Sequence, residues 1–300
     1  MPPKNLISLN DWSISDIKNI LNLAENNLSF RSNLNGKLLI NLFFENSTRT
    51  RVSFEVAAKR LDMHVININS STSSVKKGET LLDTLETLQA LSADIIVIRH
   101  SGSGAAEFIA QNIDCPIINA GDGSHAHPTQ ALLDAFTIQQ AKGKIEGLII
   151  AICGDILHSR VARSNIICLS KLGAKIKLIA PSTLLPYKAE NMGLEIYHDM
   201  KAGLKDADVI MMLRMQKERM ELAFVPSIRE YNHFYGLTNE TLQYAKDDCI
   251  IMHPGPINRN IEIASQVTKN KQSHILKQVT NGVAIRMAVI ETLLQDNKND

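Results

Sequence analysis

The 300-residue chain has no excess of either charge: 32 Lys and Arg stand against 31 Asp and Glu, for a formal net charge of +1. That balance gives no reason to expect nucleic acid or an anionic membrane as a partner, so local charge must carry any electrostatic argument. No apolar run approaches about 18 residues, which excludes a membrane-spanning helix at the level of sequence. The opening stretch MPPKNLISLN lacks the apolar core of a signal peptide. Cysteine is scarce. Cys115, Cys153, Cys168 and Cys249 are widely spaced, with no CxxC pair, which argues for free thiols in a reducing compartment over a disulfide framework or a metal site. Repeats are absent, and the only biased tract is the serine-rich NSSTSSVKKGE at 69–79. These absences describe a soluble, cytoplasmic protein of roughly two domains of about 150 residues each.

What is present is a regular alternation. Short apolar runs at 37–44, 64–69, 94–99 and 116–120 are followed by a second set at 147–153, 174–180, 208–213 and 249–253. They are continuously apolar, as expected of parallel strands covered on both faces. Helical patterns fill the intervals at 15–28, 50–61, 79–91, 105–112, 128–142, 159–172 and 238–246, with a last one at 282–295. Strand-then-helix repetition predicts an α/β fold with right-handed crossovers. The strand series breaks at 128–147, so two doubly wound parallel-sheet domains joined by a bridging helix are expected. The first comprises 1–130 plus 282–300, with the C-terminal helix packing back on it, and the second comprises 131–281.

The stretch FFENSTRTR (43–51) carries the first functional signal. An apolar strand runs into hydroxyls and two arginines just where a helix begins. Ligands of parallel α/β sheets bind beyond the carboxyl ends of strands. The first N–H groups of a helix lack intrahelical partners and carry partial positive charge. With the hydroxyls of Ser47, Thr48 and Thr50 and the forked cation of Arg49, this is an anion site suited to phosphate. An ordinary helix N-cap with exposed arginines is the plainer reading. A competing motif, GSGAAE (102–107), imitates a dinucleotide fingerprint. It places Glu107 where the third glycine belongs, beside a would-be pyrophosphate, and is weak on that ground.

Other polar clusters fall at strand ends. Arg99 and His100 close the third strand, and GDGSHAHPTQ (121–130) follows the fourth with His127 and Gln130 three residues apart. GDILHSR (154–160) ends in Arg160. LRMQKER (213–219) offers Arg214, Gln216, Lys217 and Arg219. HPGP (253–256) ends the last strand in a rigid turn that exposes backbone carbonyls. Each has a bland alternative as surface charge, helix-end polarity or simple turn. Their shared position at strand ends favours one cleft, and Arg49, Arg99, Arg160 and Arg214 gathered there make sense if polyanionic substrates fill it.

Assembled in order, FFENSTRTRVSFE, SSVKKGETLLDT, IRH, NAGDGSHAHPTQALLD, GDILHSR, RMQKER and MHPGPINR closely resemble the catalytic chains of the aspartate carbamoyltransferase family, over essentially the whole sequence. The ornithine branch shares the STRT and His-Pro-x-Gln segments. Here, however, Glu45 stands where that branch usually carries lysine, HPGP replaces its His-Cys-Leu-Pro turn, and RMQKER supplies cations for a dicarboxylate. Gly255 stands where some members have leucine, which should preserve a backbone carbonyl contact.

The resemblance implies transfer of the carbamoyl group of carbamoyl phosphate to L-aspartate, an early step of pyrimidine synthesis. It implies that the first domain binds carbamoyl phosphate and the second binds aspartate. Ser47, Thr48, Arg49, Thr50 and Arg99 would hold the phosphate. Thr50, Arg99 and His127 would face the carbonyl oxygen, and Gln130 with the carbonyls at Gly255 and Pro256 would accept from the carbamoyl NH2. Arg160, Arg214, Gln216 and Lys77 would receive the aspartate carboxylates, and Glu45 is a candidate for steering Arg160 or Arg219. The loop carrying Ser73 and Lys77 would reach a neighbouring subunit, making the active unit a homotrimer. No metal or cofactor is called for. Association with regulatory chains or a dihydroorotase stays open, as do a different amine acceptor and a non-catalytic anion-binding homologue.

Overall fold

Residues 2–28, 33–69, 80–216 and 227–295 are described in the computed structural model. They form two compact units, one of Met1–Leu133 with Val279–Asp300 and one of Asp134–Gln278.

In the first unit four strands, β1 (Leu38–Phe43), β2 (His64–Asn69), β3 (Ile95–His100) and β4 (Ile117–Asp122), lie in the order β2-β1-β3-β4. All pairings are parallel. Ile40 and Leu42 of β1 and Ile96 and Ile98 of β3 share one face, which packs on Leu85, Leu88, Ala106 and Ile109. Those four residues come from helices α3 (Leu81–Ala90) and α4 (Ala105–Ala110). Leu39 and Val97, of opposite parity, are equally buried, so the other face is covered too. This explains the unbroken apolar runs. Helix α1 (Ile14–Asn26) is started by a capping box between Ser13 and Asp16. Helix α2 (Thr48–Arg60) buries Thr50, Phe54, Ala57 and Ala58 along one stripe.

Helix α5 (Pro128–Lys142) leads from the first unit into the second. There β5 (Ile149–Cys153), β6 (Lys175–Ile179), β7 (Glu195–Tyr197), β8 (Val209–Met212) and β9 (Ile250–Met252) form a second parallel sheet, ordered β7-β6-β5-β8-β9. Helices α6 (Arg160–Lys171), α7 (Met200–Leu204), α8 (Ile228–Tyr235) and α9 (Asn239–Leu242) connect its strands. Ala151, Ile210 and Ile251 on one face pack with Leu204, Leu237 and Leu242. Helix α10 (Ile275–Gln295) returns to the first unit from Val279 onward. There Arg286 donates to Ser53 at 2.9 Å, stacks 5.0 Å from the Phe54 ring, and Glu291 accepts from Asn27 at 3.1 Å.

The fold class is the expected one: two parallel-sheet α/β units with a bridging helix and a C-terminal helix packed back on the first. Strand β7 and helices α7 and α8 have no counterpart in the sequence-based expectation. The first two span only three and five residues, too short for a period to register. Helix α8 is only eight residues long, with Tyr231 buried and Ile228 and Phe234 exposed. Helix α10 begins seven residues before the expected position because its first turns are inverted. Leu276 and Val279 are exposed there, while Gln278 and Asn281 are buried.

Gly154, just after β5, has φ +117°, where side chains other than hydrogen are strained. A Cβ there would stand 2.8 Å from the Tyr231 hydroxyl and 3.2 Å from the Leu213 carbonyl oxygen. Gly154→Ala is therefore expected to lower stability by about 1–3 kcal/mol. A urea midpoint equal to that of the parent chain would refute this.

Candidate functional site

Strand order locates the polar groups within each unit. In the first sheet the chain passes from β1 to β2 on one side and then crosses to β3 on the other. The carboxyl ends of β1 and β3 therefore flank a topological switch point, where α/β sheets bind ligands. Phe43 and Arg99 are register partners there. In the second sheet the same point lies between β5 and β8, whose ends Cys153 and Met212 are partners.

At the first switch point, Ser47 is the N-cap of α2 but makes no side-chain cap bond. Its hydroxyl donates instead to Thr50 Oγ1 at 3.0 Å. The first-turn N–H groups of α2 are thus not taken by the side chain that usually satisfies them. Thr48 and Arg49 are exposed on this turn and Thr50 is buried. Arg99, only 9% exposed, is gripped by oxygen atoms. Nη1 donates to the Ala120 carbonyl at 3.1 Å, and Nη2 to Glu45 Oε1 at 2.7 Å. Glu45 thus pairs within its own unit, with Arg99. A guanidinium held on two sides keeps a fixed orientation, which suits bidentate recognition of an oxyanion.

His127 and Gln130 enter at the start of α5. Both are nearly buried, and the His127 carbonyl accepts from Gln130 N at 3.1 Å. The loop that delivers them is organised by Asp122. Its carboxylate accepts from Asn119 Nδ2 (2.7 Å), Gly104 N (2.7 Å), Ala126 N (3.1 Å) and His125 Nδ1 (3.0 Å). Four donors on one buried carboxylate pre-organise the turn that ends in His127.

At the second switch point Ser159 caps α6, accepting from Ala162 N at 3.1 Å. Arg160, the first residue of that helix, is buried. Arg214 and Gln216 follow β8 and are partly exposed. Asp155, fully buried, joins the two strand ends. It accepts from His158 Nδ1 at 2.8 Å, from His158 N at 3.2 Å and from Gln216 N at 3.2 Å. The motif GDILHSR thus carries Asp155 as well as Arg160, and an acid directly after a strand's glycine is itself a sequence signal of a structured loop. In the HPGP turn Gly255 has φ +65°, which suits glycine where some relatives carry leucine.

The structure thus brings Ser47 and Thr50 together, orients Arg99 at the end of β3, and sets Arg160 and Gln216 at adjoining strand ends. Ser73, Lys77, Lys217 and Arg219 lie outside the described residues. No group of three or more His, Cys, Asp or Glu side chains gathers as a metal-ion cluster among the described residues. No helix among them is long and apolar enough to cross a membrane.

A pair of parallel α/β units, each with cationic and hydroxyl groups at its switch point, defines a two-unit class of anion-binding α/β protein. The family model "Aspartate/ornithine carbamoyltransferase, carbamoyl-P binding domain" matches residues 4–140, and its companion "Asp/Orn binding domain" matches residues 146–293. The chain belongs to the aspartate/ornithine carbamoyltransferase family. A relative from Bartonella tribocorum, named aspartate carbamoyltransferase catalytic subunit, is 58% identical over 300 residues, covering 98% of this chain and 94% of the relative. One of the same name from Rhizobium etli is 57% identical with the same coverage. The structure of aspartate transcarbamoylase from Trypanosoma cruzi in complex with N-(phosphonacetyl)-L-aspartic acid matches with TM-score 0.87 at 32% identity, covering 96% of this chain and 95% of that one. Ornithine carbamoyltransferase from Pyrococcus furiosus matches with TM-score 0.85 at 29% identity, covering 96% of each.

The cysteines are separate from these strand-end groups in chemistry. Burial pushes the thiols of Cys115 and Cys249 up to about 11 and that of Cys168 up to about 12, and it raises Cys153 as well. Thiolate, the reactive form, is then scarce at pH 8, on the order of one part in a thousand. Ellman's reagent at pH 8 should label the native protein slowly at all four positions and the urea-unfolded chain at once. Rapid labelling of any cysteine in the native state would contradict this.

Proposed function

We propose that this chain catalyses carbamoyl transfer from carbamoyl phosphate to L-aspartate, giving N-carbamoyl-L-aspartate and phosphate, in pyrimidine biosynthesis. The observation that carries this reading is identity of 58% over 300 residues to a chain named for the aspartate reaction, against 29% to the ornithine enzyme's structure. The charge pattern agrees: an ornithine site should present carboxylate to a cationic amine, whereas Arg160, Arg214 and Gln216 suit two carboxylates.

On this reading the first unit holds carbamoyl phosphate. Ser47, Thr48, Arg49, Thr50, Arg99 and the first-turn N–H groups of α2 bind its phosphate. Thr50, Arg99 and His127 donate to the carbonyl oxygen, an imidazole N–H serving whether or not the ring is charged. That oxygen gains negative charge when the aspartate amine adds to the carbonyl carbon, so donors already in place lower the barrier. Gln130 Oε1 and the carbonyls of Gly255 and Pro256 accept from the NH2 group, which separates a carbamoyl from an acetyl phosphate. Arg160, Arg214, Gln216 and Lys77 hold the aspartate carboxylates and thereby aim its amine. Such positioning is worth up to about 7–11 kcal/mol in favourable cases. As the new C–N bond forms, the C–O bond to phosphate breaks, and the leaving phosphate takes the amine proton. No side chain need act as base. The active unit on this reading is a cytoplasmic homotrimer in which the Ser73 and Lys77 loop completes a neighbour's site.

The purified chain, given carbamoyl phosphate, should carbamoylate L-aspartate and leave L-ornithine unreacted; the reverse preference would overturn the assignment. His127→Ala should lower kcat by about 100- to 1000-fold, measured by colorimetric detection of the ureido product, and an unchanged kcat would remove His127 from the mechanism. Mixed under conditions that exchange subunits, Lys77→Ala and His127→Ala chains should recover part of the lost activity. If the mixture stays as inactive as its components, the loop does not complete a neighbour's site.

A further inference from the structure

The HPGP turn is held from behind by an acid that lies nine residues beyond its histidine. Glu262 is 0% exposed. Its Oε1 accepts from Asn258 N at 2.6 Å and faces His253 Nε2 at 3.2 Å. His253 is itself buried, and its Nδ1 accepts from Gly255 N at 2.8 Å. That bond places the ring proton on Nε2, so the imidazole donates to Glu262. One carboxylate oxygen therefore ties both ends of the 253–258 turn, one end directly and the other through the imidazole. The backbone N–H of His253 donates in turn to Gln278 Oε1 at 2.9 Å, and Gln278 Nε2 donates to Asp134 Oδ1 at 2.7 Å. The turn is thus anchored through Gln278 of α10 to Asp134 of α5, all within the second unit.

A fully buried carboxylate is a costly way to fill space. A well-packed apolar residue of similar volume often serves stability as well or better. Here the second oxygen, Oε2, has no hydrogen-bond partner among the described residues. The arrangement is thus concentrated on one oxygen and one task, fixing the path of Gly255 and Pro256.

We infer that Glu262 is a positioning residue for carbamoyl recognition: through His253 and Asn258 it orients the carbonyls of Gly255 and Pro256 that select an NH2-bearing acyl phosphate. This rests on the proposed role of those carbonyls. It assigns discrimination between carbamoyl and acetyl phosphate to an acid that never touches either.

The test compares full-length Glu262→Ala and Glu262→Gln with the parent chain at saturating L-aspartate. Carbamoyl phosphate is varied, and acetyl phosphate serves as a competitor that lacks the NH2 group. Glu262→Ala should raise the KM for carbamoyl phosphate by about tenfold or more, the scale of a hydrogen bond to a charged group. The acetyl phosphate inhibition constant should stay within about twofold. Glu262→Gln, whose Oε1 accepts both bonds, should restore most of the KM. If the two constants rise together, or neither moves, the inference is overturned. Should Glu262→Ala fail to fold, Glu262→Asp withdraws the oxygen by one methylene and must show the same selective rise, its absence being equally decisive. A parent chain that makes no N-carbamoyl-L-aspartate would sink the functional reading and this inference with it. Normal parent turnover with unchanged selectivity in the variants would sink the role of Glu262 alone.

Discussion

A parallel strand covered on both faces leaves its polar chemistry one place to go, the loop beyond its carboxyl end. In this chain β1 and β3 are apolar through their middles, with Leu39, Ile40, Ile96 and Val97 all fully buried. The first groups able to meet a ligand come where the sheet stops, at Ser47, Arg99 and the Asp122 loop. Each strand end also leaves backbone donors and acceptors that must be satisfied or offered outward. The anion-binding character of the first unit follows from that constraint once hydroxyls and guanidinium groups occupy the ends.

Those ends would be loose without counterparts, and three carboxylates supply them. Asp122 gathers four donors around the turn leading to His127, Asp155 joins the loop after β5 to Gln216 after β8, and Glu262 ties the HPGP turn. In each case a buried acid accepts at least one backbone N–H, which holds the loop in one conformation. Glu45 does a related service with a side chain, holding Arg99 by one edge of its guanidinium while the Ala120 carbonyl holds another. The groups proposed to touch substrate are cations and hydroxyls. The groups that aim them are carboxylates.

Much of this architecture was legible in the residues. Continuous apolar runs marked eight of the nine strands among the described residues, and the break at 128–147 marked the passage between units. The elements not legible there have too little periodic signal. Strand β7 is three residues long, and the opening turns of α10 expose Leu276 and bury Gln278, against the usual pattern. The strand-end clusters were visible because hydroxyl, guanidinium and imidazole groups crowd where apolar runs stop. Glu262 was not, since nothing local separates a buried, donor-laden acid from a solvated one.

The sequence by itself determined the class of chemistry, through the kinds of side chain placed after each strand and their order along the chain, because those depend on local pattern and residue type. Only the tertiary structure decided which strand ends adjoin: β1 beside β3 and β5 beside β8. It also decided that Glu45 meets Arg99 and that Glu262 meets His253. Strand order and carboxylate partnership are set by long-range pairing and by the space left after the core has closed, and neither leaves a mark on neighbouring residues.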